Sequence, residues 1–382
     1  MQCLIKGQRL FEQIFTFIPA RIKNLSIRHG YIKSISFEGG RLSGQRISFS
    51  ASLNTVIGIR GSGKSSLLEV VRYALSLFPS QDADYKNDLV KHVLGDGGKI
   101  SMTVIDEHGI EYHIERIYGE RPVVLTAEGK VLPIAPNVIL KNPLYFGQKD
   151  LSMSKPGYEF ELLNKLVGGR INKQEEKLEQ IVSSLQITLR QYAGIRALPE
   201  RIRELEDKDK EYDHKLQVFK EQISEREFAA IAERIEADYE SLIENQCPDM
   251  VHIYYHGKEL GKHSMGQRAS ALMLFILSQD DNEIIIIDQP EDDLDNQVVY
   301  TEFIKTLKQK KTGIQFIFAT HNANIPVLGD TERLIAAQYT DSNIGLTTGN
   351  IDTPLLQRKI VEIMEGGFEA FQRRNAIYTS WR

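Results

Sequence analysis

The chain has 382 residues, 41% of them hydrophobic, enough to fill the cores of two or three domains. Its formal net charge of -5 excludes a wholly basic, histone-like nucleic-acid binder and leaves room only for local basic faces. Two cysteines, Cys3 and Cys247, make no disulfide framework and fit a reducing, cytoplasmic compartment; the apolar runs Ala271 to Leu277 and Ile284 to Ile287 are far shorter than the roughly 20 residues of a membrane span, so no membrane partner is expected.

In chain order, Phe11, Ile14, Phe15 and Ile18 recur at helical spacing and read as a docking or core helix. The first sixty residues carry nine lysines and arginines against Glu12 and Glu38, a weak pointer to an anionic partner. From Tyr31 the text runs through short β segments that end at Gly58, and the spacing of Leu68, Val71 and Leu75 predicts a helix over Ser65 to Leu75 packed on a sheet. Two alternating stretches, turning at Glu107-His108-Gly109 and at Glu128-Gly129-Lys130, predict antiparallel hairpins.

Between about Asn172 and Gln246 the composition shifts to Glu, Lys, Gln, Arg and Leu with almost no glycine. Leu178, Ile181, Leu185 and Tyr192, then Ile202, Leu205, Tyr212, Leu216, Phe219 and Ile223, keep a three-four rhythm on either side of a break at Gly194 to Pro199. This reads either as a helical hairpin on a globular body or as a short coiled coil. After Val251, strand character alternates with helices: VHIYYHG, a helix after Ser264, the strand EIIIID, a helix near Gln297 to Lys310, and the strand IQFIFAT. That alternation predicts a parallel sheet. Lys305, Lys308, Lys310 and Lys311 form a basic run that reads either as a phosphate track or as a solvated helix end.

The chemistry begins at Gly58-Ile59-Arg60-Gly61-Ser62-Gly63-Lys64-Ser65, a phosphate loop set between a predicted strand and a predicted helix. Its glycines let backbone N–H groups turn toward phosphates, Lys64 reaches the β and γ phosphates, and Ser65 ligates Mg²⁺, so ATP and Mg²⁺ are the expected cofactors; Ser66 completes the nucleotide-binding set. Ile284 to Asp288 reads as a buried strand that delivers one acid to its C-terminal end, where ligands bind in open α/β sheets; Asp288 is the expected Walker B metal ligand.

With these residues in place, the stretch Asp288-Gln289-Pro290-Glu291-Asp292-Asp293-Leu294-Asp295 resembles the Walker B and D-loop of ABC ATPases. Gln148 resembles the Q-loop glutamine, a metal ligand there; Ser264-Met265-Gly266-Gln267 resembles the signature motif, and His321 the switch histidine. The long segment between Gln148 and Ser264 resembles the coiled-coil insertion of SMC-like and RecF-like heads rather than a transporter subunit. SLNTVIGIRGSGKSSLLEVVRYAL, DQPEDDLDN, THNANIPVLGD and EIMEGGFEAFQRR look similar to the TrlF-type AAA-like ATPases, many of which carry a PHP-type phosphoesterase domain in front. The chain begins too near its ATPase for that domain, so any nuclease is expected as a separate polypeptide or absent.

The resemblance implies an α/β, ABC-type P-loop ATPase head: an N-lobe of mixed sheet over 1–168, an inserted helical hairpin or short coiled coil over 169–248, and a parallel-sheet C-lobe over 249–382. It also implies a homodimer or higher homo-oligomer in which Ser264, Gly266, Gln267 and Asp295 of one protomer meet the nucleotide on Lys64 of the other. Gln289 stands where most ABC proteins place the glutamate that polarises water, and an amide cannot accept that proton. Either Glu291 takes the role, or hydrolysis is slow with Gln289 placing water and His321 meeting the γ-phosphate. The expected function is an ATP-dependent head dimer that handles DNA or RNA, or controls a partner nuclease or effector, in repair or antiviral defence. The competing readings are an ATP-gated assembly scaffold and, further off, a transporter subunit.

Overall fold

The computed structural model describes residues 27–77, 82–148, 150, 184, 212–213, 253–279, 281–292, 294, 302–340 and 342–381. The helix expected near Phe11, the hairpin expected over 169–248 apart from Ser184, Tyr212 and Asp213, and Asp295 lie outside these residues. The chain divides into two units, residues 1–158 with 252–382, and residues 159–251; the elements below belong to the first.

This unit opens with β1 (Tyr31–Glu38), β2 (Arg46–Ser48), β3 (Leu53–Ile57) and the helices α1 (Lys64–Ala74) and α2 (Ala83–Leu94). β4 (Lys99–Ile105), β5 (Glu111–Ile117), β6 (Val123–Thr126) and β7 (Val131–Leu132) follow, then α3 (Pro136–Ile139) and β8 (Leu144–Phe146). Beyond the second unit come the hairpin β9 (Tyr254–Tyr255) and β10 (Lys258–Glu259), α4 (Met265–Ser278), β11 (Ile284–Asp288), α5 (Ile304–Lys310), β12 (Gln315–Thr320) and α6 (Asn324–Leu328). The hairpin β13 (Arg333–Thr340) and β14 (Asn343–Gly349) precedes α7 (Pro354–Met364) and α8 (Phe368–Ser380).

Two six-stranded sheets result. One is antiparallel in the order β2-β1-β4-β5-β6-β7. β4 shows why: Ile100, Met102 and Val104 are buried while their neighbours are partly exposed, the alternation of a sheet covered on one face. The other sheet runs β14-β13-β3-β12-β11-β8, parallel throughout except for the edge strand β14. Here β3, β11 and β12 are buried at every position, which their near-continuous apolar text requires of strands covered on both faces. Leu67, Leu68, Val70, Val71 and Ala74 of α1 join side chains of both sheets in a single buried cluster, so the helix after the phosphate loop is the core's shared layer.

Two buried polar side chains tie the sheets together. Gln315, fully buried, accepts from Ile32 N (2.8 Å) and donates to Ile32 O (2.9 Å) and Ser50 O (2.7 Å). Glu283 accepts from Gly30 N (2.7 Å) and Lys141 N (2.6 Å). The structure also corrects the basic run after the D-loop. Lys311 is buried, with Nζ 2.9 Å from Glu332 and 3.3 Å from Asp330, and it donates to Gly329 O. Two carboxylates and two carbonyls, those of Gly329 and Asp330, draw it inward, so it cannot join Lys305 and Lys308 as a phosphate contact. In the N-terminal stretch Lys33 is likewise paired with Glu111 at 2.5 Å.

Because Gln315→Leu would leave the buried N–H and C=O of Ile32 unpaired, while Ser50 O keeps its bond from Asn54 Nδ2 (2.8 Å), it should lower unfolding stability by about 2 kcal/mol; the exposed-site change Lys305→Gln should leave it within about 0.5 kcal/mol. Urea unfolding of both variants checks the contrast.

Candidate functional site

Parallel pairing places the C-terminal ends of four strands along one edge: Gly58, His321 and Gly147-Gln148 directly follow β3, β12 and β8, and Asp288 ends β11. Residues far apart in sequence thereby share one site, at the edge where open α/β sheets bind ligands.

The loop after β3 depends on glycine at two tight places. A Cβ at Gly58 would fall 2.2 Å from Ser62 Oγ and 2.6 Å from Ala337 O; at Gly63, where φ is +92°, it would fall 2.7 Å from Ile344 Cδ1. Only a bare backbone fits between α1 and the β13–β14 hairpin. Lys64 opens α1 and folds back, its Nζ donating to Gly58 O (2.8 Å) and Ile59 O (3.1 Å). Burial lowers its pKa, against the opposing pull of Asp288, Glu291 and Asp292.

Asp288 is 3% exposed, and its Oδ1 has no hydrogen-bond partner. Burial raises its pKa from 3.8 to about 6, Ser65 and Lys64 pulling it down and Glu69 pushing it up. A desolvated carboxylate with a vacant oxygen beside a hydroxyl is the donor set of a hard cation. Among the described residues no three His, Cys, Asp or Glu side chains converge as a metal cage. A magnesium ion would therefore be held by Ser65 and Asp288 with phosphate and water completing the shell, its usual mode.

Between β11 and β12 lies a chain of polar contacts. Glu291 Oε1 accepts from Thr320 Oγ1 (2.7 Å) and His321 N (2.5 Å) and lies 3.0 Å from His321 Nδ1, while its Oε2 is buried without a partner. The bond to Glu291 raises the pKa of His321, whose Nε2 is 3.7 Å from Asp292. Gln148 Nε2 donates to the other oxygen of Asp292 at 2.7 Å. Gln289 sits at a left-handed φ of 54°, held by its N–H to Ala319 O (2.9 Å). Left-handed backbone at a non-glycine residue carries strain of about 1 kcal/mol or more and is commonly kept at functional sites.

An open cleft of ≈ 700 Å³ is bordered by part of this set; Asp288, Glu291 and Asp292 are not in its wall. Gly58 to Ser66, Gln148, Gln289 and His321 line it, so the structure gathers most of the sequence-predicted set. Glu291 stands behind His321, and Ser264, Gly266 and Gln267 are not in the wall. Ser264 instead caps α4 in a reciprocal box with Gln267, both bonds 3.3 Å, and His263 also reaches the Gln267 side chain. The Ser-x-x-Gln spacing was a legible signal of that cap. Sequence reasoning missed the opposite wall of the cleft. It is formed by Arg41, by Tyr85, Leu89 and His92 of α2, and by Tyr339 of β13, with Arg41 bonded to the Tyr339 hydroxyl and to His92 O. No local motif marks these residues, which meet only through tertiary packing.

Comparison with known proteins gives a match over residues 53–327 to the family described as "AAA domain, putative AbiEii toxin, Type IV TA system". A 75-residue stretch is 39% identical to the DNA double-strand break repair Rad50 ATPase of Thermococcus kodakarensis; it makes up 19% of this chain and spans 8% of that protein's length. Among solved structures, the Smc head domain derived from Pyrococcus furiosus is similar at 15% identity, with 87% of this chain and 100% of that one covered and a TM-score of 0.49. The recombination mediator RecF with ATP is similar at 16% identity, covering 84% and 99%, with a TM-score of 0.48.

Raising the pKa of Asp288 to about 6 means that its ionised form costs the free protein about 3 kcal/mol at neutral pH. The folded pKa lies above the unfolded one, so wild-type stability falls as pH rises from about 4 through about 6 and then levels off. Without added cation, Asp288→Asn should therefore be more stable than wild type at pH 7.5 by up to about 3 kcal/mol, an advantage that shrinks toward pH 4. Denaturant unfolding at the two pH values tests this.

Proposed function

The chain belongs to this AAA-domain family, and from that premise we propose that it is an ABC-type ATPase head that binds ATP with magnesium and hydrolyses it to ADP and phosphate. The observation that carries the reading is the meeting, at one sheet edge, of the phosphate loop with a buried Asp288 whose Oδ1 is unpaired.

In this reading Lys64 exchanges its two loop carbonyls for phosphate oxygens, and the backbone N–H groups of Gly61 to Ser66, at the start of α1, carry the rest of the negative charge. Ser65 and Asp288 would hold the metal, with Gln148 as a further ligand. Magnesium supplies charge neutralisation at the terminal phosphate. Gln289 faces the cleft and orients water through its amide, while the Glu291 carboxylate, bonded to Thr320 and His321, works through the imidazole. Glu291 acts from behind His321, favouring the protonated imidazole and holding it toward the γ-phosphate. This division of labour predicts slow turnover, since among the described residues no carboxylate lines the cleft wall at the Gln289 position.

The signature residues Ser264, Gly266 and Gln267 lie outside the cleft wall and are proposed, with Asp295, to complete a second protomer's site in an ATP-closed dimer. The three-part division at 169 and 248 belongs to the same proposal. The likeness to a stretch of a DNA double-strand break repair ATPase supports a head that handles DNA or RNA, or governs a partner nuclease, in repair or defence within the cytoplasm. The inward turn of Lys311 and the pairing of Lys33 favour a second reading, an ATP-gated protein scaffold that touches no nucleic acid.

Lys64→Ala should abolish ATP binding and turnover, and light scattering should show ATP-dependent dimers in wild type that the variant lacks. Glu291→Gln should reduce single-turnover hydrolysis on the order of a hundredfold with ATP affinity retained. An unchanged rate, joined by a faster one in Gln289→Glu, would assign ATP the part of a clamp. Nucleic-acid binding that is tight at low salt and weakens steeply as salt rises separates the head from the scaffold.

A further inference from the structure

Next to the phosphate loop, and outside the cleft, the structure buries a second set of charges. Asp150, two residues beyond Gln148, is 2% exposed and accepts from Gly147 N at 2.8 Å. Both its oxygens face Lys86 Nζ, at 3.2 and 3.3 Å, and Lys86 is itself 7% exposed. The lysine lies tight against the strand end, for a Cβ on Gly147 would fall 2.6 Å from its Nζ. Lys86 comes from α2, the helix whose Tyr85, Leu89 and His92 form the far wall of the cleft.

The pair sits in a larger assembly. Lys86 Nζ is 5.8 Å from the ring centre of Tyr145 on β8, and the Arg72 guanidinium of α1 lies 5.9 Å from the same ring. Tyr145 donates its hydroxyl to Glu69, which also takes the Arg72 Nε at 2.5 Å. Three elements are therefore joined through buried charge: the helix that presents the phosphate loop, the helix that walls the cleft, and the strand that delivers Gln148. A buried ion pair is a weak source of net stability, because desolvation consumes much of the attraction; its clearest effect is to fix geometry.

We propose that Lys86 and Asp150 are positioning residues for hydrolysis: the pair clamps the peptide on both sides of Gln148, and so holds its amide toward the metal and γ-phosphate end of the cleft while anchoring it to the α2 wall. The inference rests on the reading of Gln148 as a site residue. It gives the pair a kinetic role separate from nucleotide binding, which the phosphate loop supplies. Gln148 now bonds to Asp292 at 2.7 Å, so its side chain has a partner within the site and its backbone has the clamp.

The test uses the full chain with Lys86→Met, Asp150→Asn and the charge-keeping Asp150→Glu, read by ATP affinity, turnover and the magnesium concentration for half-maximal rate. ATP affinity should stay within about threefold of wild type, while turnover falls on the order of tenfold and the magnesium requirement rises several-fold. Gln148→Ala should reproduce this pattern, and adding Lys86→Met to it should cost little more, because both changes remove one arrangement. Wild-type turnover and magnesium dependence in folded Asp150→Glu and Lys86→Met would overturn the inference, as would full additivity with Gln148→Ala. Should Lys86→Met or Asp150→Asn fail to fold, Asp150→Glu decides, since it keeps the charge and only displaces the loop. Lys64→Ala, run alongside, tells the two failures apart: turnover that survives Lys64→Ala defeats the ATPase reading itself, whereas turnover lost in Lys64→Ala but normal in the clamp variants defeats only the clamp.

Discussion

Parallel pairing of β8, β11, β12 and β3 is the constraint from which the site follows. In an antiparallel arrangement the ends of neighbouring strands would alternate between the two edges. Here one register brings Gly58, His321, Asp288 and Gln148 to the same side. The pairing holds because β3, β11 and β12 are mostly apolar, are buried at every position and are covered on both faces, α1 being shared with the antiparallel sheet. Among the polar residues buried inside, Gln315 and Glu283 pin the two sheets to each other.

Against this dry interior, the charges at the strand ends are held in states that water would not favour. Asp288 resists ionisation and Lys64 resists protonation, both because of burial. Glu291 keeps one oxygen bonded to Thr320 and His321 and leaves the other bare. A site that carries unsatisfied charge before its ligand arrives is pre-organised: the ligand meets dipoles already aimed, at a cost borne by folding.

How much of this was legible in the sequence differs by element. The phosphate loop and the strand Ile284 to Asp288 could be read directly, since each is a contiguous pattern whose chemistry is local; the hairpins at Gly109 and Gly129 were equally plain, because alternation and turn residues agree there. Gln148 and His321 were found through the order of a family's motifs, not through anything in their own surroundings. Arg41, Tyr85, His92 and Tyr339 were invisible because the wall they make exists only after β13 and α2 have packed on either side of the loop. Lys311 shows the opposite failure. Its sequence neighbours are lysines, and only the fold reveals that Asp330 and Glu332 draw it inside.

The fit of the β13–β14 hairpin against the phosphate loop also bears on the order of events during synthesis. Gly58 lies under Ala337 and Gly63 under Ile344, residues made almost three hundred positions later. A nascent chain that has emerged only as far as α1 owns every residue of the phosphate motif, yet lacks the surface that sets the loop's shape. Contacts of such sequence separation form late and slowly. Under the proposed function, nucleotide capture then waits for the distal hairpin, and a truncated product that ends before β13 should bind ATP poorly.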